Sequence, residues 1–167
     1  KNNPLILVAV TKHATIDQVR SLLNQGHLDF GESKVQHLQQ ISSQAQEILN
    51  RRDFDFNSAN FPSEIRWHFI GHLQRNKTKD AAAICRLIHS MDSLRIAEAI
   101  DSASKKQKKN TEVLIQINIG REDQKYGLLP AAIDVFLEQA LKMENIKIRG
   151  LMCMAPKSNS PEDSKPH

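Results

Sequence analysis

The chain has 167 residues, 40% of them hydrophobic and 25% charged, with a formal net charge of +4. That balance suits a globular domain with a core of its own and excludes collagen-like and low-complexity chains. No apolar run approaches the ~18 residues of a membrane-spanning helix, and the opening residues do not read as a secretory leader.

From the start, Leu5 to Val10 is a continuous apolar run, which predicts a parallel strand buried on both faces. Thr15-Ile16-Asp17-Gln18 reads as a capping box. Ile16, Val19, Leu22 and Leu23 then form one helix face, closed by Gly26. Leu28 to Phe30 is a short second strand ending at Gly31. A long helix follows with Val35, Leu38, Ile41, Ala45, Ile48 and Leu49 on one side. Arg51 to Ser63 reads as a polar and aromatic loop. Ile65 to Ile70 is the third strand, ending at Gly71, with a helix over Asn76–Ile84. Leu87 to His89 is the fourth strand, and Leu94 to Ser104 the next helix. Val113 to Ile119 is the fifth strand. Its helix carries Ile133, Phe136, Leu137, Ala140 and Leu141 at helical spacing. Ile146 to Met152 is the sixth strand. Pro156 to His167 has no core-forming pattern and reads as a frayed tail, leaving 1–156 as the folded unit.

Two cysteines, Cys85 and Cys153, lie in apolar segments, too few for a disulfide-stapled secreted fold. A reducing, cytoplasmic setting is the expectation. Much of the net charge sits in Lys105-Lys106-Gln107-Lys108-Lys109. That run has no interleaved aromatic, so it reads as a solvated loop rather than a nucleic-acid surface.

Six βα steps argue for a parallel sheet flanked by helices. The Gly-rich turn of a dinucleotide fold is absent after the first strand, where Thr11-Lys12-His13 stands. A complete βα barrel takes ~250 residues, so six units fit about three quarters of one. In such a barrel the chemistry lies at the strand C-termini. The residues there are Lys12, Gly31-Glu32-Ser33, Gly71-His72, Met91-Asp92, Asn118, and Met152 to Ala155.

Lys12 is the sharpest candidate. It lies in line with Val8 and Val10, and a partly desolvated amine there would favour its neutral, nucleophilic form. The competing reading is a strand-end lysine reaching solvent. His68 and His72 have H-x3-H spacing, but that spacing serves metal ligands on a helix, and here one is on a strand and the other beyond a glycine. Packing and mouth-lining roles fit them better. Gly71 reads as a sharp turn or a close approach to a ligand. Arg75, Asn76 and Lys77 begin a helix and either favour an anion or make a polar first turn. Asn118 could donate to a ligand. Tyr126, the one tyrosine, reads as packing or as part of a turn.

Val10-Thr11-Lys12, Phe30-Gly31-Glu32, Val35-Gln36, Trp67 to Lys77, Leu114 to Asn118 and Arg149-Gly150-Leu151-Met152 together resemble the pyridoxal 5′-phosphate homeostasis protein family, also called the YggS or PROSC family. The resemblance runs from Leu5 to about Pro156, and Trp67 to Lys77 is its most specific part. It implies an incomplete TIM (βα)8 barrel similar to the N-terminal domain of alanine racemase. It implies pyridoxal 5′-phosphate held as a Schiff base on Lys12, with Ser33, His72, Asn118 and Met152 beside it and no metal. The implied role is buffering the cofactor or delivering it to pyridoxal-phosphate-dependent apo-enzymes, without established turnover. Neither a nucleic acid nor a membrane is an expected partner, and oligomeric state stays open.

Two departures from the family pattern stand out. Ser33 occupies a position where the family usually has asparagine, which offers more hydrogen bonds. The family's leading helix and its last two strands, with their phosphate-holding segment, have no counterpart in these residues. The expectation is therefore a chain truncated at both ends that binds the cofactor weakly or not at all. Alternatives are a fold-type III pyridoxal-phosphate racemase or decarboxylase, or an inactive remnant.

Overall fold

The computed structural model describes residues 5–51, 64–120, 122 and 124–155. Six strands alternate with five α-helices: β1 (Ala9–Val10), α1 (Ile16–Asn24), β2 (Asp29–Glu32), α2 (Val35–Arg51), β3 (Arg66–Phe69), α3 (Thr78–Ile84), β4 (Leu87–Met91), α4 (Leu94–Lys106), β5 (Thr111–Ile117), α5 (Ile133–Ala140) and β6 (Ile146–Cys153). All neighbouring strands pair in parallel. The spatial order is β1-β2-β3-β4-β5-β6, the order of the sequence. A doubly wound sheet reverses its order at a switch point; this sheet never does, so it is an arc of a βα barrel.

The core lies between the strands and the helices. Phe30, Trp67, Phe69, Ile88, Val113 and Ile115 are buried there with Val19, Leu23, Leu38, Ala81, Ile96 and Ile100. The capping box forms as expected. Thr15 Oγ1 accepts from Gln18 N at 3.3 Å, and Gln18 Oε1 accepts from Thr15 N at 2.9 Å. Gly26 ends α1 with φ 80°.

Several boundaries differ from the sequence reading. The ladder of β1 is two residues long, and Leu5 and Leu7 are 98% and 75% exposed. The apolar run is therefore not buried on both faces, because β1 has one described neighbour, β2. β2 continues through Gly31 and Glu32, which pair with His68 and Phe69. Residues 75–77 form a 3-10 turn before α3. β4 extends to Met91, whereas β5 ends at Ile117. Lys105 and Lys106 belong to the last turn of α4, where cations complement the helix dipole, so the basic run is not wholly a loop. Lys109 Nζ donates to the Ala83 carbonyl at 3.4 Å. Arg51, read as the start of a loop, closes α2 instead; the rest of that loop, 52–63, and the tail over 156–167 lie outside the described residues.

Candidate functional site

Strand alternation decides which side chains face away from the helices. Phe30 points into the helix-packed core, and its register partner is Ala9. Gly31 and its partner Val10 therefore face the inner side. A Cβ on Gly31 would meet Val8 and Ile70, so these also lie there. Thr11 returns to the buried side, and Lys12 comes next, as the first residue of the turn that follows β1. The backbone turns immediately, with Ala14 N donating to Thr11 O at 2.9 Å. Lys12 is exposed. The expected desolvation of its amine is not supplied by the described residues, because the turn carries it past the last paired residue of β1.

Glu32 is the most connected group in this region. It is 0% exposed. Oε1 accepts from Ser33 N at 2.6 Å, Lys34 N at 3.2 Å and Ser33 Oγ at 3.4 Å. Oε2 accepts from Thr11 Oγ1 at 3.0 Å and from His37 Nδ1 at 2.6 Å. Burial pushes the carboxyl up, but the donors from His37, Ser33, Lys34 and Thr11 outweigh it and hold Glu32 below the ordinary carboxylate value. The carboxylate caps the start of α2 and ties the end of β1 to the β2–α2 turn. His37 was not singled out from the sequence; only its i+5 spacing from an acidic strand end signals it.

Ser33 and His72 come together. They line a cavity of about 290 Å³ with Lys34, Gln36, Gln74 and Lys77. Gly71 packs against the chain: a Cβ there would lie 2.1 Å from the Ser33 carbonyl oxygen. His72 Nδ1 is 3.2 Å from Asp92 Oδ2, and its ring stacks on Tyr126 at 3.6 Å between centroids and 12° between planes. Tyr126 is thus a mouth residue, 56% exposed. Sequence reading missed the stack because the partners are far apart in the chain. Arg75 lies with Arg95 on a neighbouring groove beside Asp92.

Asn118 departs from its expected role. Its Nδ2 donates to Glu122 O at 2.9 Å and Lys125 O at 3.2 Å, and its Oδ1 accepts from Glu122 N at 3.2 Å. The amide is spent on folding the β5–α5 loop, which returns to pair Leu128 with Ile117. Gly127, with φ 128°, permits that return; a Cβ there would meet Asn118 N at 2.6 Å. Met152 pairs with Gln116 on β6 and shares its inner side, partly exposed.

Deeper on the inner face lies a polar network. Arg66 donates to Asp29 through Nε at 2.7 Å and Nη2 at 2.5 Å. His68 Nε2 lies 3.2 Å from Asp29 Oδ1, and His68 Nδ1 lies 2.8 Å from His89 Nε2. Arg66 holds the Asp29 carboxyl below its ordinary value despite burial, with help from His68. Burial and the adjacent His68 push His89 down to about 4. His68 therefore pairs with Asp29 and His89, not with His72. Among the described residues no group of three or more His, Cys, Asp or Glu could hold a metal ion, and no helix is long and apolar enough to cross a membrane.

The chain resembles several characterised proteins. It is 32% identical over 161 residues to the pyridoxal phosphate homeostasis protein of Aquifex aeolicus, covering 96% of this chain and 64% of that relative. It is 32% identical over 157 residues to the protein of the same name from Synechocystis, covering 94% and 66%. The chain thus spans just under two thirds of the length of these curated relatives. PipY of Synechococcus elongatus PCC7942, solved without PLP, superposes with a TM-score of 0.82 at 25% identity, covering 95% of this chain and 67% of PipY. PipY with PLP bound gives 0.79 at 25% identity, covering 99% and 71%. The model of one family, described as alanine racemase, N-terminal domain, matches residues 7–167, and the chain belongs to that family.

Proposed function

We propose that the chain binds pyridoxal 5′-phosphate at the C-terminal end of its sheet, as part of intracellular homeostasis of that cofactor, with Lys12 as its covalent Schiff-base anchor. The observation that carries this reading is the placement of Lys12. It is the first residue of the turn that follows β1, joined through Thr11 and Glu32 to the turn that bears Ser33. The names of the relatives and the PLP-bound form of PipY support it.

When bound, the cofactor supplies an aldehyde to a primary amine and a phosphate to cationic groups. The donor set fits both demands. Lys12 offers the amine, and Lys34 and Lys77 flank the cavity with positive charge. Ser33 offers a hydroxyl, and Asp92 orients the His72 ring, whose outer face Tyr126 covers. Met152 adds apolar surface from β6. Asn118 acts at one remove by holding the β5–α5 loop that presents Tyr126. A cytoplasmic setting, and delivery to apo-enzymes that need the cofactor, complete the proposal.

The test is an absorbance titration of the 167-residue chain with pyridoxal phosphate, then borohydride reduction and peptide mapping. A yellow species trapped on Lys12 and lost in Lys12→Ala is the expected result. Label scattered over surface lysines such as Lys105 and Lys108 overturns the reading. Stoichiometric uptake at micromolar cofactor would refute the expectation of weak binding.

A further inference from the structure

We infer that Glu32 is the positioning residue for Lys12: its buried carboxylate locks the turn that carries the amine to the Ser33 turn and the first turn of α2. The inference rests on the cofactor reading above and adds to it the device that aims the amine.

β1 cannot aim Lys12 by itself. Its ladder is two residues long, with one described partner strand. Lys12 lies beyond it, in a turn closed by the bond from Ala14 N to Thr11 O. The orientation of that turn depends on what holds Thr11. The Thr11 backbone N–H donates to Gly31 O at 2.9 Å. Its hydroxyl has one hydrogen and two acceptors in reach, Glu32 Oε2 at 3.0 Å and Gly31 O at 3.2 Å. The carboxylate is closer and charged, and it takes the bond. The same carboxylate receives Ser33 N, Lys34 N and His37 Nδ1. One rigid group therefore sets the end of β1, the β2–α2 turn and α2 relative to each other. Stability alone is a weak reason for a carboxylate here, since buried charges rarely outperform well-packed apolar side chains.

Glu32→Gln separates the two halves of this role. Its single carbonyl oxygen can keep the Ser33 and Lys34 amides. The amide nitrogen then faces Thr11 and His37, and His37 can accept from it through Nδ1. Thr11 loses its charged acceptor and keeps at most a neutral bond in which its hydroxyl accepts from the amide, while the start of α2 keeps its cap. Thr11→Val cuts the same link from the other end, and Thr11→Ser restores the hydroxyl as a control.

The experiment takes wild type and these three variants of the 167-residue chain. Hydrogen exchange at the Ala14 amide is read without cofactor, and the share of borohydride-trapped pyridoxal phosphate found on Lys12 is read with it. Glu32→Gln and Thr11→Val should each speed exchange about tenfold, the effect of losing one charge-assisted hydrogen bond. Both should move label from Lys12 to surface lysines, the double variant should add little, and Thr11→Ser should behave as wild type. Unchanged exchange and labelling in both variants overturn the inference. An effect in Glu32→Gln alone also overturns it, because Glu32 would then act only through α2. If Glu32→Gln does not fold, the Thr11→Val result decides by the same criteria. If wild type takes no label on Lys12 but exchange quickens in both variants, the cofactor reading fails and the positioning role stands.

Discussion

Replacing Gly71 with alanine would place a methyl group 2.1 Å from the Ser33 carbonyl oxygen and 2.7 Å from the Ser33 Cα and carbonyl carbon. Those separations lie roughly 1 Å inside ordinary contact. The neighbour is backbone, so no rotamer change relieves the overlap. Either the end of β3 or the β2–α2 turn must move, and the turn is held by Glu32. Overpacking costs about 1–3 kcal/mol. A backbone clash belongs at the upper end, about 3 kcal/mol, which for a domain of this size lowers Tm by about 6–12 °C. Gly26→Ala is the control, because it fails for a different reason. Nothing lies within 4 Å of its added Cβ, but its φ is 80°. The cost there is backbone strain of about 1 kcal/mol, or about 2–4 °C. Thermal unfolding followed by circular dichroism compares the two. A Gly71→Ala chain melting within about 2 °C of wild type, or Gly26→Ala proving the more damaging, would refute the steric reasoning.

Two further outcomes are expected. His89 is held at about 4 against an ordinary 6.5, first by burial and then by His68. The unfolded chain takes up this proton as pH falls through 6.5 and the folded chain only near 4. The associated stability is therefore complete above 6.5 and falls by about 2–3 kcal/mol as the pH drops to 4. Urea midpoints across that range should show a clear slope that flattens in His89→Gln; parallel slopes would count against the network. The His72–Tyr126 stack should give a coupling of about 0.5–1.5 kcal/mol in a double-alanine cycle. A coupling near zero would mean that the rings touch without holding the loop.

What was legible in the sequence was local. The capping box at Thr15 and Gln18, the helix stop at Gly26 and the helical face of α2 depend on residues a few positions apart, and the structure places them as read, whereas α5 ends at Ala140 and leaves Leu141, read as part of its apolar face, exposed. Lys12 could be picked out because a cation ending an apolar run is conspicuous. Its exposure could not be read, because burial depends on how far the pairing with β2 extends. The roles of Glu32 and Asn118 were equally hidden. An acidic strand end looks like an exposed site residue, yet Glu32 is 0% exposed because donors from β1 and α2 converge on it. An asparagine ending a strand looks free to meet a ligand, yet the loop seven residues onward consumes its amide.

The inner face carries the most general lesson. β3 reads Arg66-Trp67-His68-Phe69, an alternation usually associated with a sheet whose second face is wet. Here the sheet is parallel, and the polar half of the alternation is absorbed by pairing on the inner side. Asp29 takes Arg66 and His68, His68 takes His89, and Glu112 takes Arg149. Each pair bridges neighbouring strands. A slip of one residue in β3 would turn Arg66 and His68 into the helix-packed core and bring Trp67 and Phe69 to the inner face. Most of these pairs are partly exposed and contribute little stability individually. Their larger effect is on register: they fix how β2 and β3 align, and thereby whether Ser33 and His72 arrive at the same mouth.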